Sequence, residues 1–238
     1  MLLAFDVTEQ AEAERMRREF TANVSHELKT PLQSIIGSVE LLENDLVQPE
    51  DHPRFLGRIH QEAQRLVSLI NDILGLSQLD EGAAMPRESV SLLSLAQEAA
   101  ASLSAAAQAQ NVTLTVNGTA GTLTGVRRLL SETVRNLCEN AVKYNVPGGS
   151  ITVTVAETPQ AVTLTVADTG IGIPPADQSR VFERFYRVDK SHSRAIGGTG
   201  LGLSIVKHAV AYHHGTVQLD STPGQGTVIT VTLPKDAA

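Results

Sequence analysis

The chain has 238 residues and a formal net charge of −7, with 42% hydrophobic and 19% charged residues. This composition supports packed cores, excludes global disorder and lacks the basic footprint of a nucleic-acid binder. With no Trp and 3% aromatics the cores must be aliphatic, and the single cysteine, Cys138, excludes an intrachain disulfide framework or a cysteine-built zinc cluster.

From the N-terminus, the dense basic cluster Arg15, Arg17 and Arg18 reads first as a solvated helix face and second as a membrane-surface contact. Apolar residues then recur at Met16, Phe20, Val24, Leu28, Leu32, Ile35, Val39, Leu42 and Leu46. That spacing predicts a long helix with a coiled-coil-like seam. Gln48, Pro49 and Pro53 interrupt it, and a second helical run follows through Phe55, Ile59, Leu66, Ile70, Ile73 and Leu76 until Gly82 and Pro86. An αα-hairpin of this size cannot bury both apolar stripes alone. Pairing with a second copy into a four-helix bundle would, so a homodimer is expected on physical grounds. No apolar run is long enough to cross a bilayer and no secretory signal is visible, so the segment reads as soluble and cytoplasmic.

Beyond residue 88 the pattern changes. An Ala-rich helix near 92–110 precedes an alternating strand, Val112–Val116. Leu129, Val134, Leu137, Ala141 and Tyr144 lie at helical spacing, with Cys138 among them as a buried thiol. Ile151–Val155 and Val162–Val166 alternate like adjacent antiparallel strands, a helix is expected from Leu201 to Gly215, and Thr216–Leu219 and Val228–Leu233 flank the turn Pro223-Gly224-Gln225-Gly226. Helices mixed with antiparallel strands indicate an α+β layer domain. Between Gly170 and Gly200 periodicity is weak and glycine rich, as in a lid.

Several short patterns carry chemistry. Asp168-Thr169-Gly170-Ile171-Gly172 follows a strand: the aspartate can accept from an exocyclic amine, and the glycines let the backbone approach a flat ring. A plain turn fits equally. Gly198-Thr199-Gly200-Leu201-Gly202 opens a helix, where free N–H groups favour phosphate oxygens, but no Walker A lysine follows. Asn136 and Asn140 share a helix face with Lys143 and Tyr144 one turn on; amide oxygens suit magnesium and Lys143 suits phosphate, while a polar helix face is the plainer reading. In the first helix, His26 and Thr30 share a face, Glu27 reaches the side of the imidazole, and Pro31 removes the hydrogen bond to the Glu27 carbonyl and should kink the helix. His213 and His214 sit at a helix C-terminus, which favours positive charge.

Together these patterns resemble the catalytic core of HisKA-type sensor histidine kinases. Ser25-His26-Glu27-Leu28-Lys29-Thr30-Pro31-Leu32 is similar to the family's H box, Asn136–Tyr144 to its N box, and Asp168–Gly172 to its first glycine box. Phe182–Arg187 resembles the F box, Gly198–Leu203 the second glycine box, and Gly224–Thr227 the last. All occur in the family's order over residues 20 to 233. Gly125-Val126 departs from a common Gly-Asp, at a position not catalytic in the family.

The resemblance implies a linker at 1–14, a dimerisation and phosphotransfer hairpin at 15–82, and an α/β-sandwich ATP-binding domain of the Bergerat type at 88–238. Leu2–Glu9 resembles the exit of a PAS sensor domain, which would leave the sensor and any membrane anchor outside this chain. It also implies the roles. His26 takes the γ-phosphoryl group of ATP, Glu27 handles its proton, and Thr30 serves phosphatase chemistry. Asn140 and Asn136 hold Mg2+, Lys143 with Gly198, Thr199, Gly200, Leu201 and Gly202 holds phosphates, and Asp168, Gly170, Gly172 and Tyr144 hold adenine. The implied partner is a response regulator, which receives the phosphoryl group on an aspartate. Two rivals remain: a mechanical ATPase needs a catalytic acid where Asn136 stands, and a dead scaffold should have lost His26, Asn140 or Asp168.

Overall fold

The computed structural model describes residues 8–80, 85–188 and 198–235, with hairpin side chains described from 18 to 77. It divides into two compact units, Met1–Ile73 and Leu74–Ala238. Residues 2–7 of the PAS-like segment Leu2–Glu9, and residues 189–197 of the expected lid, lie outside the described residues.

The first unit is the helical hairpin. Helix α1 spans Thr8–Glu43 and α2 spans His52–Asp80, with a short 3-10 turn at Pro49–Asp51. The helical assignment of α1 runs unbroken through Pro31. Its end is built by backbone bonds: the Leu46 amide donates to the Leu41 carbonyl at 3.0 Å and the Asp45 amide to Leu42 at 3.3 Å. Asp45 sits between them in the left-handed region at φ 54°, the position usually given to glycine. Pro53 falls in the first turn of α2, where a missing N–H costs nothing. One apolar stripe, including Leu28, Ile35, Ile59 and Leu66, is half-buried, whereas Leu32, Ile36, Leu56, Val67 and Ile70 stand exposed.

The second unit is a sheet layered by helices. Its elements are β1 (Glu88–Ser91), α3 (Leu92–Ala109), β2 (Thr113–Gly118), β3 (Thr122–Gly125), α4 (Arg127–Lys143), β4 (Ser150–Glu157), β5 (Ala161–Asp168), α5 (Pro175–Gln178), α6 (Gly202–Tyr212), β6 (Thr216–Thr222) and β7 (Gly226–Pro234). The five-stranded sheet has the order β2-β4-β5-β7-β6. Every pair in it is antiparallel except β2 with β4, where Leu114 lies opposite Ile151. The parallel pair arises because α4 carries the chain back before β4 begins, so both strands run the same way. The little β1–β3 ribbon was not legible, because each strand buries a single apolar side chain, Val90 and Leu123, which face each other.

Alternation decides the layering. Ile151, Val153, Val155, Val162, Leu164, Val166, Val231 and Leu233 point to one side and are buried against Leu130, Val134, Leu137, Cys138, Val206 and Val210 of α4 and α6. Each such burial stabilises by about 1.5–3 kcal/mol. The other side presents half-exposed threonines: Thr152, Thr154, Thr163, Thr165, Thr230 and Thr232. The observed architecture is therefore a helical hairpin followed by a helix-on-sheet sandwich, the expected α+β arrangement.

Candidate functional site

His26 stands on α1 with 65% of its side chain exposed. Its Nδ1 lies 3.6 Å from Oε1 of Glu27, within ion-pair range but beyond hydrogen-bond length. The other carboxylate oxygen of Glu27 is 3.8 Å from Nη2 of Arg65 on α2. One turn along, the Thr30 hydroxyl donates to the His26 carbonyl at 3.1 Å. Its proton is therefore committed to the backbone beside Pro31, while its oxygen lone pairs are not.

In the second unit the sequence-selected residues come together from three places. Strand β5 ends at Asp168, whose Oδ1 accepts from the amide of Gly170 at 2.8 Å and of Thr227 at 3.3 Å. Burial pushes its carboxyl up from the ordinary carboxylate value, and the two amide bonds oppose that rise. Among the described residues nothing bonds its Oδ2.

Asn136, on α4, is buried; its Nδ2 donates to the Glu132 carbonyl at 2.8 Å, and its Oδ1 would lie 2.7 Å from a Cβ at Gly202. Asn140 is half-buried, and its side-chain amide has no hydrogen-bond partner among the described residues. The ammonium of Lys143 lies 5.3 Å above the Tyr144 ring and occupies the space a Cβ at Gly198 would need. Tyr144 caps the C-terminus of α4, and its carbonyl accepts from the Ile171 amide at 3.0 Å. Burial pushes its phenol up, against the opposing charge of Arg187.

The glycines are there because backbone approaches backbone. At Gly170 a Cβ would strike the Tyr144 carbonyl oxygen, and at Gly172, with φ 67°, the Thr222 carbonyl oxygen. Gly200 adopts φ 74° and its carbonyl accepts from the Phe185 amide at 2.9 Å. The Thr199 hydroxyl accepts from the Leu201 amide at 3.3 Å, and Leu201, fully buried, is the N-cap residue of α6. Asn136, Lys143 and Tyr144 thus meet the 198–202 loop, and Tyr144 meets the Asp168–Gly172 turn.

Two family models match the chain. Residues 16–82 match the His Kinase A (phospho-acceptor) domain, and residues 125–237 match the histidine kinase-, DNA gyrase B- and HSP90-like ATPase. The chain belongs to the HisKA-type sensor histidine kinases. It is 39% identical over 236 residues to the sensor-like histidine kinase SenX3 of Mycolicibacterium smegmatis, a match covering 97% of this chain and 60% of that one. The chain therefore spans less than two thirds of that relative's length. In fold it is similar to the Acinetobacter baumannii histidine kinase AdeS, with TM-score 0.74, 19% identity, and coverage of 89% of this chain and 98% of that one. It is also similar to histidine kinase ThkA, solved in complex with response regulator protein TrrA, with TM-score 0.72, 22% identity, and coverage of 98% and 68%.

Several features of this HisKA kinase were missed in the sequence. Thr227 joins Asp168 through its backbone, which only the closing G-x-G-T pattern hinted at. The individual contacts of the F box were not legible either: Phe185 takes φ 63°, the Tyr186 hydroxyl donates to Asp177, and Arg184 Nη2 lies 3.0 Å from Nε2 of His208. Arg65 carried no motif at all.

His213 corrects an expectation. It is not a solvated, charge-favoured helix end; it is 1% exposed. Its Nε2 accepts from the Val126 amide at 2.9 Å, so its Nδ1, 2.7 Å from the Ala209 carbonyl, is the donor. Burial lowers its pKa, as do Arg87 and His214, while the Ala209 bond opposes the change. The ring serves the N-terminus of α4, where Val126 has no side-chain cap to offer. Cys138 is buried as expected, and desolvation pushes its thiol up to about 12.

Proposed function

We propose that this chain transfers the γ-phosphoryl group of ATP to His26 and passes it on to an aspartate of a response regulator. One observation carries the reading. Asn136, Lys143, Tyr144 and Asp168 converge with two glycine-lined backbone turns, in a chain that also presents an exposed imidazole with a carboxylate beside Nδ1.

The donor set fits a nucleotide. Asp168 Oδ2 takes the exocyclic amine of adenine, and Gly170 and Gly172 let the ring lie against backbone. Tyr144 lines that pocket. Lys143 and the amides at the start of α6, from Gly198 through Thr199, Gly200, Leu201 and Gly202, take the phosphates. Asn140 and Asn136 offer amide oxygens that would hold magnesium, which when bound spreads the negative charge of the phosphates.

The lone pair of His26 Nε2 then forms the P–N bond as the P–O bond to the β-phosphate breaks, and ADP leaves with that electron pair. Glu27 holds or accepts the proton at Nδ1. The exposed row Leu32, Ile36, Val67 and Ile70 is the face on which a second copy packs, giving the dimeric four-helix bundle. The working boundaries are 15–82 for the dimerisation and phosphotransfer domain and 88–238 for the ATP-binding domain.

The test is labelling with γ-labelled ATP. The chain should acquire an acid-labile label that His26→Gln abolishes while nucleotide binding survives. Label persisting at another histidine would overturn the assignment.

A further inference from the structure

The chemistry of His26 requires that one ring nitrogen hold the proton and the other keep its lone pair. Glu27 faces Nδ1, but a carboxylate on a three-bond side chain has several rotamers, and Oε1 stops 3.6 Å short. Its second oxygen meets a cation from the other helix. Arg65 Nη2 lies 3.8 Å from Glu27 Oε2, and its Nη1 lies 4.0 Å from Oε2 of Glu62. The three side chains are 18% exposed for Arg65, 22% for Glu27 and 23% for Glu62. Oε2 of Glu62 is buried without a hydrogen-bond partner, leaving the guanidinium as its compensation. Two partly desolvated carboxylates thus flank one planar cation.

We propose that Arg65 is a positioning residue for phosphoryl transfer: it anchors Oε2 of Glu27, and so turns Oε1 toward Nδ1 of His26. The inference rests on the functional reading given above. Guanidinium suits the task because its donors form a rigid fork that can serve both carboxylates at once. Without it, the charges of Glu27 and Glu62 repel each other in a poorly solvated space, and Glu27 swings away from the ring. The ring then relaxes toward the Nε2–H tautomer that histidine prefers in water, and the attacking lone pair is lost. Removing the guanidinium also leaves two partly desolvated carboxylates uncompensated and should cost stability, so the rate and tautomer readouts carry the test rather than stability.

The test uses the full chain with Arg65→Gln and Arg65→Lys. Arg65→Gln should lower kcat for autophosphorylation by about ten- to a hundredfold. KM for ATP should be unchanged, because the nucleotide residues belong to the other unit. Arg65→Lys should restore part of the rate. In a Glu27→Gln background the Arg65→Gln loss should largely vanish, because Arg65 acts through Glu27. The 15N spectrum of the His26 ring, recorded without ATP, should shift toward Nε2–H in Arg65→Gln.

Full additivity of the two losses, an unchanged kcat or an unchanged tautomer would overturn the positioning role. So would equal losses in Gln and Lys accompanied by lost helicity, which would make Arg65 a structural residue. A wild-type chain that takes no label at His26 would sink the functional reading instead, and the tautomer measurement would still decide whether Arg65 orients Glu27.

Discussion

The amide of Thr227 donates to the same oxygen of Asp168 that receives the amide of Gly170. The start of β7 therefore holds the Asp168 carboxylate by backbone alone, and a Cβ at Gly226 would strike the Asp168 carbonyl oxygen. Two donors on Oδ1 leave Oδ2 available to accept from the proposed adenine amine. Asp168→Asn should weaken ATP binding roughly ten- to a hundredfold, the value of a charge-assisted hydrogen bond. Calorimetry on the two proteins measures it, and equal affinities would move the adenine contact elsewhere.

Thr30 should separate two reactions. Its hydroxyl lies one turn along α1 from His26, with its proton given to the His26 carbonyl. The oxygen can still orient a water toward a phosphoryl group on the regulator. Thr30→Ala should therefore remove phosphatase activity and spare autophosphorylation. If the hydroxyl only braces the helix beside Pro31, both rates will fall in proportion. Measuring both on one preparation decides between the two.

The dimer has its own test. Ile70 is 45% exposed on α2, and Leu42 is half-buried on α1. A charge at either position would have to be buried in the paired bundle at a cost of several kcal/mol. Ile70→Glu should be monomeric by sedimentation at micromolar concentration, where the native chain should be a dimer. A monomeric native chain would remove the four-helix reading.

His213 should make the second unit acid-sensitive. Its folded-state pKa is lowered, so below the ordinary value of about 6.5 the unfolded chain binds more protons than the folded one. Stability should fall as pH drops from about 6.5 toward the folded-state value, and level off below it. All three tyrosines, Tyr144, Tyr186 and Tyr212, lie in this unit, so tyrosine fluorescence in urea reports its unfolding selectively. His213→Leu should be less stable at pH 8 by about 1–3 kcal/mol, because leucine offers the Val126 amide no acceptor. It should also show a shallower acid slope, and an unchanged slope would assign the proton uptake to other groups.

Where a local rule governed, sequence reading succeeded. The 3.5-residue apolar period marks α1 and α2, and strict alternation marks β4, β5 and β7. The expected Ala-rich helix near 92–110 is α3 within a residue. The glycine and asparagine patterns were legible because each states a local need, either close backbone approach or a polar helix face. What escaped depends on partners distant in sequence. Thr227 reaches Asp168 across 59 positions, and Val126 reaches His213 across 87. Arg65 looks like any solvated arginine until the hairpin places it beside Glu27. His213 was misread for the same reason: a helix end is polar by default, and only tertiary packing buried this one.

The threonine side of the sheet has a practical use. Thr154 lies opposite Thr165, Thr165 opposite Thr230, and Thr163 opposite Thr232, a half-exposed lattice remote in the sheet from the Asp168 turn. The chain's one native thiol is buried and stays protonated far above neutral pH. A cysteine placed at Thr163 would then be the only thiol within reach of a maleimide dye. The native Cys138 could be left in place, and the ATP-binding unit could carry a single reporter without disturbing its core or its glycine loops.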